Sequence, residues 1–105
     1  MTELFHPGKD RIESYSVAQA VVPSGSSTLR HVHKRAEETY YILEGEALVE
    51  VAGESERVGP GDAVLIPAGA PHRLTAVGPR QVIMLCICCP AYAHGDTELL
   101  EPVAV

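Results

Sequence analysis

His31 and His33 are separated by a single residue. Side chains alternate between faces along a β-strand, so both imidazoles point one way and Val32 the other. Two imidazoles side by side on an inner face are costly unless they are hydrogen-bonded or ligated. The pair therefore reads either as a two-pronged metal clip or as an exposed or hydrogen-bonded pair. Glu38 follows a short loop and shares a strand face with Tyr40 and Ile42. If Ile42 faces the core, so does the Glu38 carboxylate, which must then be paired or metal-bound. The alternative is a solvated residue at the strand end, a role open to Glu37 as well. His72 follows the Pro67–Pro71 turn and shares a face with Leu74 and Ala76, while Arg73 and Thr75 point outward. Three imidazoles and one carboxylate converging from three neighbouring strands match a mononuclear transition-metal site.

Other residues with chemical potential are weighed against plainer roles. Tyr40 is a candidate catalytic residue, as a hydrogen-bond donor to substrate or a proton shuttle; the alternative is a core tyrosine with its hydroxyl at the rim. Cys86 and Cys88 are soft ligands in principle, but free cysteine usually packs as a small buried hydrophobe. His6 and His94 lie in poorly patterned segments that read as exposed loops. Arg30 faces away from His31 by alternation, and Lys34 and Arg35 belong to a solvated loop beside the histidine pair.

The elements that must position these groups are short. No stretch sustains the apolar spacing of a long helix. Strands are predicted over Ser14–Val22, Thr28–His33, Thr39–Leu43, Glu46–Val51, Ser55–Val58, Ala63–Ile66, His72–Val77 and Gln81–Cys89, divided by Gly/Pro-rich turns. Glu44-Gly45 reads as a tight hairpin. This spacing indicates an all-β sandwich or barrel. The run Val82–Cys89 shows no polar alternation, which implies cover on both faces: the barrel interior on one, a second subunit of a homodimer on the other. Thr97–Glu101 is expected to form a short helical turn.

Composition narrows the class further. With 105 residues the chain is the size of one small domain, spanning 1–105. Lys and Arg total 8 against 14 Asp and Glu, a formal net charge of −6, which argues against nucleic acid and anionic membrane surfaces as partners. No apolar run approaches the length of a membrane span, and the first residues lack the pattern of a secretory leader. Cys86, Cys88 and Cys89 are too crowded and too few for a disulfide framework, which fits a cytoplasmic setting.

Gly25, His31-Val32-His33, Glu38 and Gly45 together resemble the first cupin motif, G-x5-H-x-H-x3-4-E-x6-G, across residues 25–45. Gly61, Pro67-Ala68-Gly69 and His72 resemble the second, G-x5-P-x-G-x2-H-x3-N, across 61–76, with Ala76 where that motif ends in Asn. The resemblance implies a double-stranded β-helix, or jelly-roll barrel, with a central pocket. It also implies that His31, His33, Glu38 and His72 bind one divalent transition metal, with iron, manganese, nickel and zinc all admissible. Open coordination positions would then support dioxygenase-type chemistry with iron, or Lewis-acid isomerase or lyase chemistry on a small molecule held through its oxygens. The competing expectation is a non-catalytic module that binds a small metabolite or sugar.

Overall fold

The computed structural model describes residues 1–100. In chain order the strands are β1 (Thr2–Phe5), β2 (Ser16–Val22), β3 (His31–His33), β4 (Glu37–Glu44), β5 (Ala47–Val51), β6 (Glu54–Val58), β7 (Ala63–Ile66), β8 (His72–Ala76), β9 (Val82–Cys89) and β10 (Thr97–Leu99). They form two five-stranded sheets, ordered β1-β2-β9-β4-β7 and β10-β3-β8-β5-β6. Every pairing is antiparallel, and the sheets face each other as a double-stranded β-helix. Among the described residues no helix is long and apolar enough to cross a membrane.

Alternation does most of the work of positioning. Glu38, Tyr40 and Ile42 on β4 are buried, as are His72, Leu74 and Ala76 on β8. On β9 the inward set is Val82, Met84, Cys86 and Cys88. The interior is divided along the strands. At one end Ile42, Ala47, Val49, Leu74, Val82 and Met84 form an apolar core. Each large aliphatic side chain fully buried there contributes roughly 1.5–3 kcal/mol. At the other end Ser16, Cys88, Glu38, His33 and His72 point inward, and among the described residues Ser16, His33, Glu38 and His72 are the buried polar ones.

The hairpin between β4 and β5 turns at Gly45, whose φ of +85° is reached at low cost only without a side chain. A Cβ there would also press on the Gln81 carbonyl oxygen and approach the Val82 Cα to 3.0 Å, so the turn packs directly against the start of β9.

Several boundaries differ from the sequence reading. β1 was not anticipated; all four of its residues are exposed, so its pairing with β2 leaves no buried periodicity to read. The strand expected from Thr28 begins at His31. Before it, Ser27 and Thr28 make only a bridge to Thr75 and hydrogen bonds to Leu74. The helical turn expected at Thr97–Glu101 is instead a 3-10 turn at His94–Asp96 followed by β10, with Glu101 outside the described residues. Long-range bonds decide this: the Asp96 carboxylate accepts the Arg35 and Ala36 amides, and β10 pairs with β3. The outward side chains of β9 are not fully covered in the single chain. Ile83, Leu85 and Ile87 are half-buried and Cys89 is exposed.

Candidate metal centre

The four groups singled out by spacing come together. One donor atom from each of His31, His33, Glu38 and His72 lies within 4.8 Å of the others, a set that could hold a metal ion. They do not come from three adjacent strands of one sheet. β3 and β8 pair directly, with His31 opposite His72, whereas Glu38 reaches across from β4 in the facing sheet. The site therefore bridges the two layers.

Each imidazole is oriented from behind. His31 Nδ1 faces the Leu29 carbonyl at 2.7 Å, and His72 Nδ1 faces the Ala70 carbonyl at 2.9 Å. His33 Nδ1 lies 3.0 Å from the Thr97 hydroxyl, which gives its own proton to the Ala93 carbonyl and so accepts. These acceptors place the ring proton on Nδ1 and leave Nε2 as the donor atom towards the centre. Nε2 of His33 and Nε2 of His72 each lie 3.2 Å from the same oxygen, Glu38 Oε1. A neutral imidazole has one ring proton, yet each of these rings faces an acceptor on both sides. A cation at the centre satisfies that deficit, so the donor set fits a divalent metal.

Burial alone would raise the Glu38 pKa, but in the absence of a metal, hydrogen bonds from His33 and then His72, made when these rings also carry a proton on Nε2, outweigh it and hold the carboxyl down to about 2. The carboxylate is thus charged at neutral pH. Burial lowers the His31 pKa from its ordinary value, which favours the neutral ring a metal requires.

The remaining candidates separate clearly. Tyr40 is 2% exposed, so its hydroxyl is not at a rim; it lies in the core with its ring 6.0 Å from that of His72. Burial, followed by the Glu38 charge, raises its pKa well above the ordinary phenol value and keeps it a proton donor towards Glu38. Burial pushes the Cys86 thiol up to about 12, and burial with the Glu38 charge pushes Cys88 higher still, so both remain thiols. Neither belongs to the converging donor set. His94 is exposed, and His6 Nε2 lies 3.0 Å from the Tyr92 carbonyl, away from the centre. Arg30, Lys34 and Arg35 are exposed.

Beside the centre lies a cavity of about 360 Å³. It opens above β2, where Ala18 and Ala20 are too small to fill the space. Its walls include Leu29, Tyr40, Met84, Cys86, Tyr92 and Leu99, and His31, His33 and Glu38 reach it. Sequence reasoning missed Tyr92 and Thr97. Tyr92 sets its ring edge-on to His33 at 6.1 Å, but nothing local in Pro90–Thr97 announces this.

The sequence profile of the Cupin domain family matches residues 18–88. An uncharacterized protein of Methanocaldococcus jannaschii is 43% identical over 99 residues, covering 94% of this chain and 79% of that protein. Two enzymes share shorter stretches. Dimethylsulfoniopropionate lyase of Ruegeria pomeroyi is 47% identical over 62 residues, which is 56% of this chain and 30% of the enzyme. Quercetin 2,3-dioxygenase of Bacillus subtilis is 31% identical over 58 residues, 55% of this chain and 17% of the enzyme. Among solved structures, a Klebsiella pneumoniae protein with a double-stranded β-helix domain superposes with a TM-score of 0.76 at 22% identity, covering 87% of this chain and 78% of that one.

Proposed function

The chain belongs to the Cupin domain family, and on that premise we propose that it is a metal-dependent enzyme acting on a small molecule, with dioxygenase-type chemistry as the leading reaction. The observation that carries this reading is the donor set: three Nε2 atoms and one carboxylate oxygen converge beside a cavity, with every Nδ1 tied to an acceptor. His31, His33, Glu38 and His72 would hold one divalent transition metal. Bound there with coordination positions open to the cavity, iron would supply oxygen activation, while zinc, nickel or manganese would supply Lewis acidity for isomerase or lyase steps.

The chain's own residues do the rest. The apolar walls exclude water and hold the body of a substrate whose oxygens face the centre. Tyr40, a protonated phenol beside Glu38, is a candidate proton donor within that space. The stretches shared with a dioxygenase and a lyase support both branches of the chemistry. Three free thiols fit a reducing, cytoplasmic compartment.

Elemental analysis of the protein as purified tests the reading. Near-stoichiometric iron, with oxygen uptake on diketones or keto acids, is the expected result. Stoichiometric zinc, nickel or manganese directs the assay to isomerase and lyase substrates. A protein that loads none of these metals overturns the enzyme reading and leaves a binding module.

A homodimer completes the proposal. Val21, Tyr41, Leu43 and Leu65 lie exposed on the outer face of the β1-β2-β9-β4-β7 sheet, flanking the half-buried Ile83, Leu85 and Ile87. Register sets Leu85 directly beside Tyr41. A second copy covering this largely apolar face would bury all of them, and light scattering at micromolar concentration is expected to give twice the chain mass. A monomeric mass refutes the dimer.

A further inference from the structure

Glu38 has two oxygens, and the structure treats them differently. Oε1 faces the two imidazoles at 3.2 Å each. Oε2 accepts a hydrogen bond from the Cys88 thiol at 3.3 Å, a distance suited to sulfur. Strand register accounts for this contact. Cys88 lies directly opposite Glu38 on β4 and directly opposite Ser16 on β2, so Ser16, Cys88 and Glu38 form one row across the inner face of the sheet. All three side chains are buried. The row continues beyond Ser16, whose hydroxyl oxygen accepts the Tyr92 amide at 2.8 Å. With that proton received, the Ser16 hydroxyl is free to donate, and Cys88 is its direct neighbour across the strand pair. The row thus runs Tyr92 N–H, Ser16 O–H, Cys88 S–H, Glu38 Oε2. It starts in the segment whose aromatic ring packs against His33 and ends on the carboxylate of the centre.

We infer that Cys88, backed by Ser16, is a positioning residue that holds Glu38 as a one-oxygen ligand, with Oε1 presented to the metal and Oε2 kept away from it. The inference rests on the reading of the four residues as a metal site. Its physical basis is that a buried carboxylate without a partner for its second oxygen would turn both oxygens to a cation. Turning both inward would fill a coordination position that a substrate needs. The thiol suits the task because it is a donor that stays neutral: a Lys or Arg at this place would cancel the charge that Glu38 brings to the metal. It also gives Cys88 a reason to be buried among polar groups, where a plain hydrophobe would do nothing for Oε2.

The experiment uses the full chain stripped of metal and reloaded with Co(II). Affinity is read by chelator competition and coordination by the visible ligand-field spectrum. Cys88→Ala is expected to weaken Co(II) binding about 10- to 100-fold, the usual effect of losing a partner that orients a ligand. Its visible bands are expected to weaken as the freed oxygen raises the coordination number. Cys88→Ser keeps a donor in place and recovers most of the affinity together with the wild-type spectrum, whereas a purely structural role for the sulfur predicts no such recovery of the spectrum. Ser16→Ala, which leaves the thiol present but unsupported, gives a smaller change in the same direction and serves if Cys88→Ala fails to fold. Three results would overturn the inference: Cys88→Ala matching the wild type in affinity and spectrum, Cys88→Ser as impaired as Cys88→Ala, or a thiolate-to-cobalt charge-transfer band that makes Cys88 itself a ligand. A wild-type protein that takes up no Co(II) instead overturns the metal site on which the inference rests.

Discussion

The apolar core and the candidate metal site sit at opposite ends of the barrel, and replacing two glycines by alanine tests their separation. Gly45 and Gly53 both adopt left-handed backbone, with φ of +85° and +84°. A Cβ at Gly53 meets nothing within 4 Å. Gly53→Ala therefore carries only the conformational penalty, about 1 kcal/mol. A Cβ at Gly45 pays the same penalty and also presses on the Gln81 carbonyl oxygen, with the Gln81 carbonyl carbon and the Val82 Cα each at 3.0 Å. All three contacts are backbone atoms, so no side-chain rotation relieves them. The hairpin must move off β9, at a further cost of about 1–3 kcal/mol by analogy with overpacking.

For a chain this short, 1 kcal/mol shifts the melting temperature by roughly 4–8 °C. Thermal unfolding in the presence of chelator, which removes any contribution from bound metal, is thus expected to show a loss of about 4–8 °C for Gly53→Ala and roughly 8–32 °C for Gly45→Ala. The clash lies where β4 and β5 turn against Gln81-Val82 at the start of β9, whereas Glu38 pairs with Cys88 at the far end of the β4–β9 ladder. Metal stoichiometry in the folded Gly45→Ala protein, measured below its transition, is expected to equal that of the wild type. Equal losses in the two variants would refute the packing argument. A Gly45→Ala protein that stays folded but no longer takes up metal would refute the separation of the two ends.

His33→Ala is expected to reduce metal content to a small fraction of the wild-type value at similar expression, and Glu38→Ala to weaken metal binding far more than Glu37→Ala, because Glu38 is buried at the centre and Glu37 is exposed; elemental analysis of each variant checks both. Chelation is expected to lower the melting temperature, since a ligand present at a thousand times its dissociation constant adds about 4 kcal/mol; an unchanged transition after complete metal removal would count against tight binding. In the metal-free protein Glu38 titrates near 2 rather than its ordinary 4.5, so its contribution is present above pH 4.5 and is lost as pH falls towards 2. The loss integrates to about 3 kcal/mol, and Glu38→Gln is expected to flatten that part of the stability–pH curve in urea titrations between pH 5 and pH 2.

Much of the site is legible in the sequence because period-two alternation is a local rule. His31 with His33, Glu38 with Tyr40 and Ile42, and His72 with Leu74 and Ala76 each take the face that alternation assigns, and Ala63–Ile66 is a strand with the boundaries the turns imply. Features that depend on which distant strands pair are not legible. β1 carries no buried residue, and β10 exists through its ladder with β3. The run Val82–Cys89 is apolar on both faces, so its sequence does not say which side meets the interior. Its register against β2 and β4 does, by setting Cys88 between Ser16 and Glu38. The same limit hid the division of the four donors between two sheets: spacing reports the face of a strand, not the layer to which the strand belongs.

That division explains how a small barrel tolerates so polar an interior. Three histidines and a glutamate on one sheet would need a facing layer able to satisfy them. Here the sheet that supplies the imidazoles faces the sheet that supplies the carboxylate, so the centre is satisfied across the gap that hydrophobic packing fills elsewhere. The supports of His31 and His72, the Leu29 and Ala70 carbonyls, lie within the two cupin motifs, whereas those of His33 and Glu38 lie outside them: Ser16 precedes the first, and Cys88, Tyr92 and Thr97 follow the second. The motifs therefore specify which atoms converge and orient two of the imidazoles, while the flanking strands orient His33 and Glu38. Among proteins that share the two motifs, differences in those flanking residues are the physical means by which the same four ligands can be tuned to different metals and substrates.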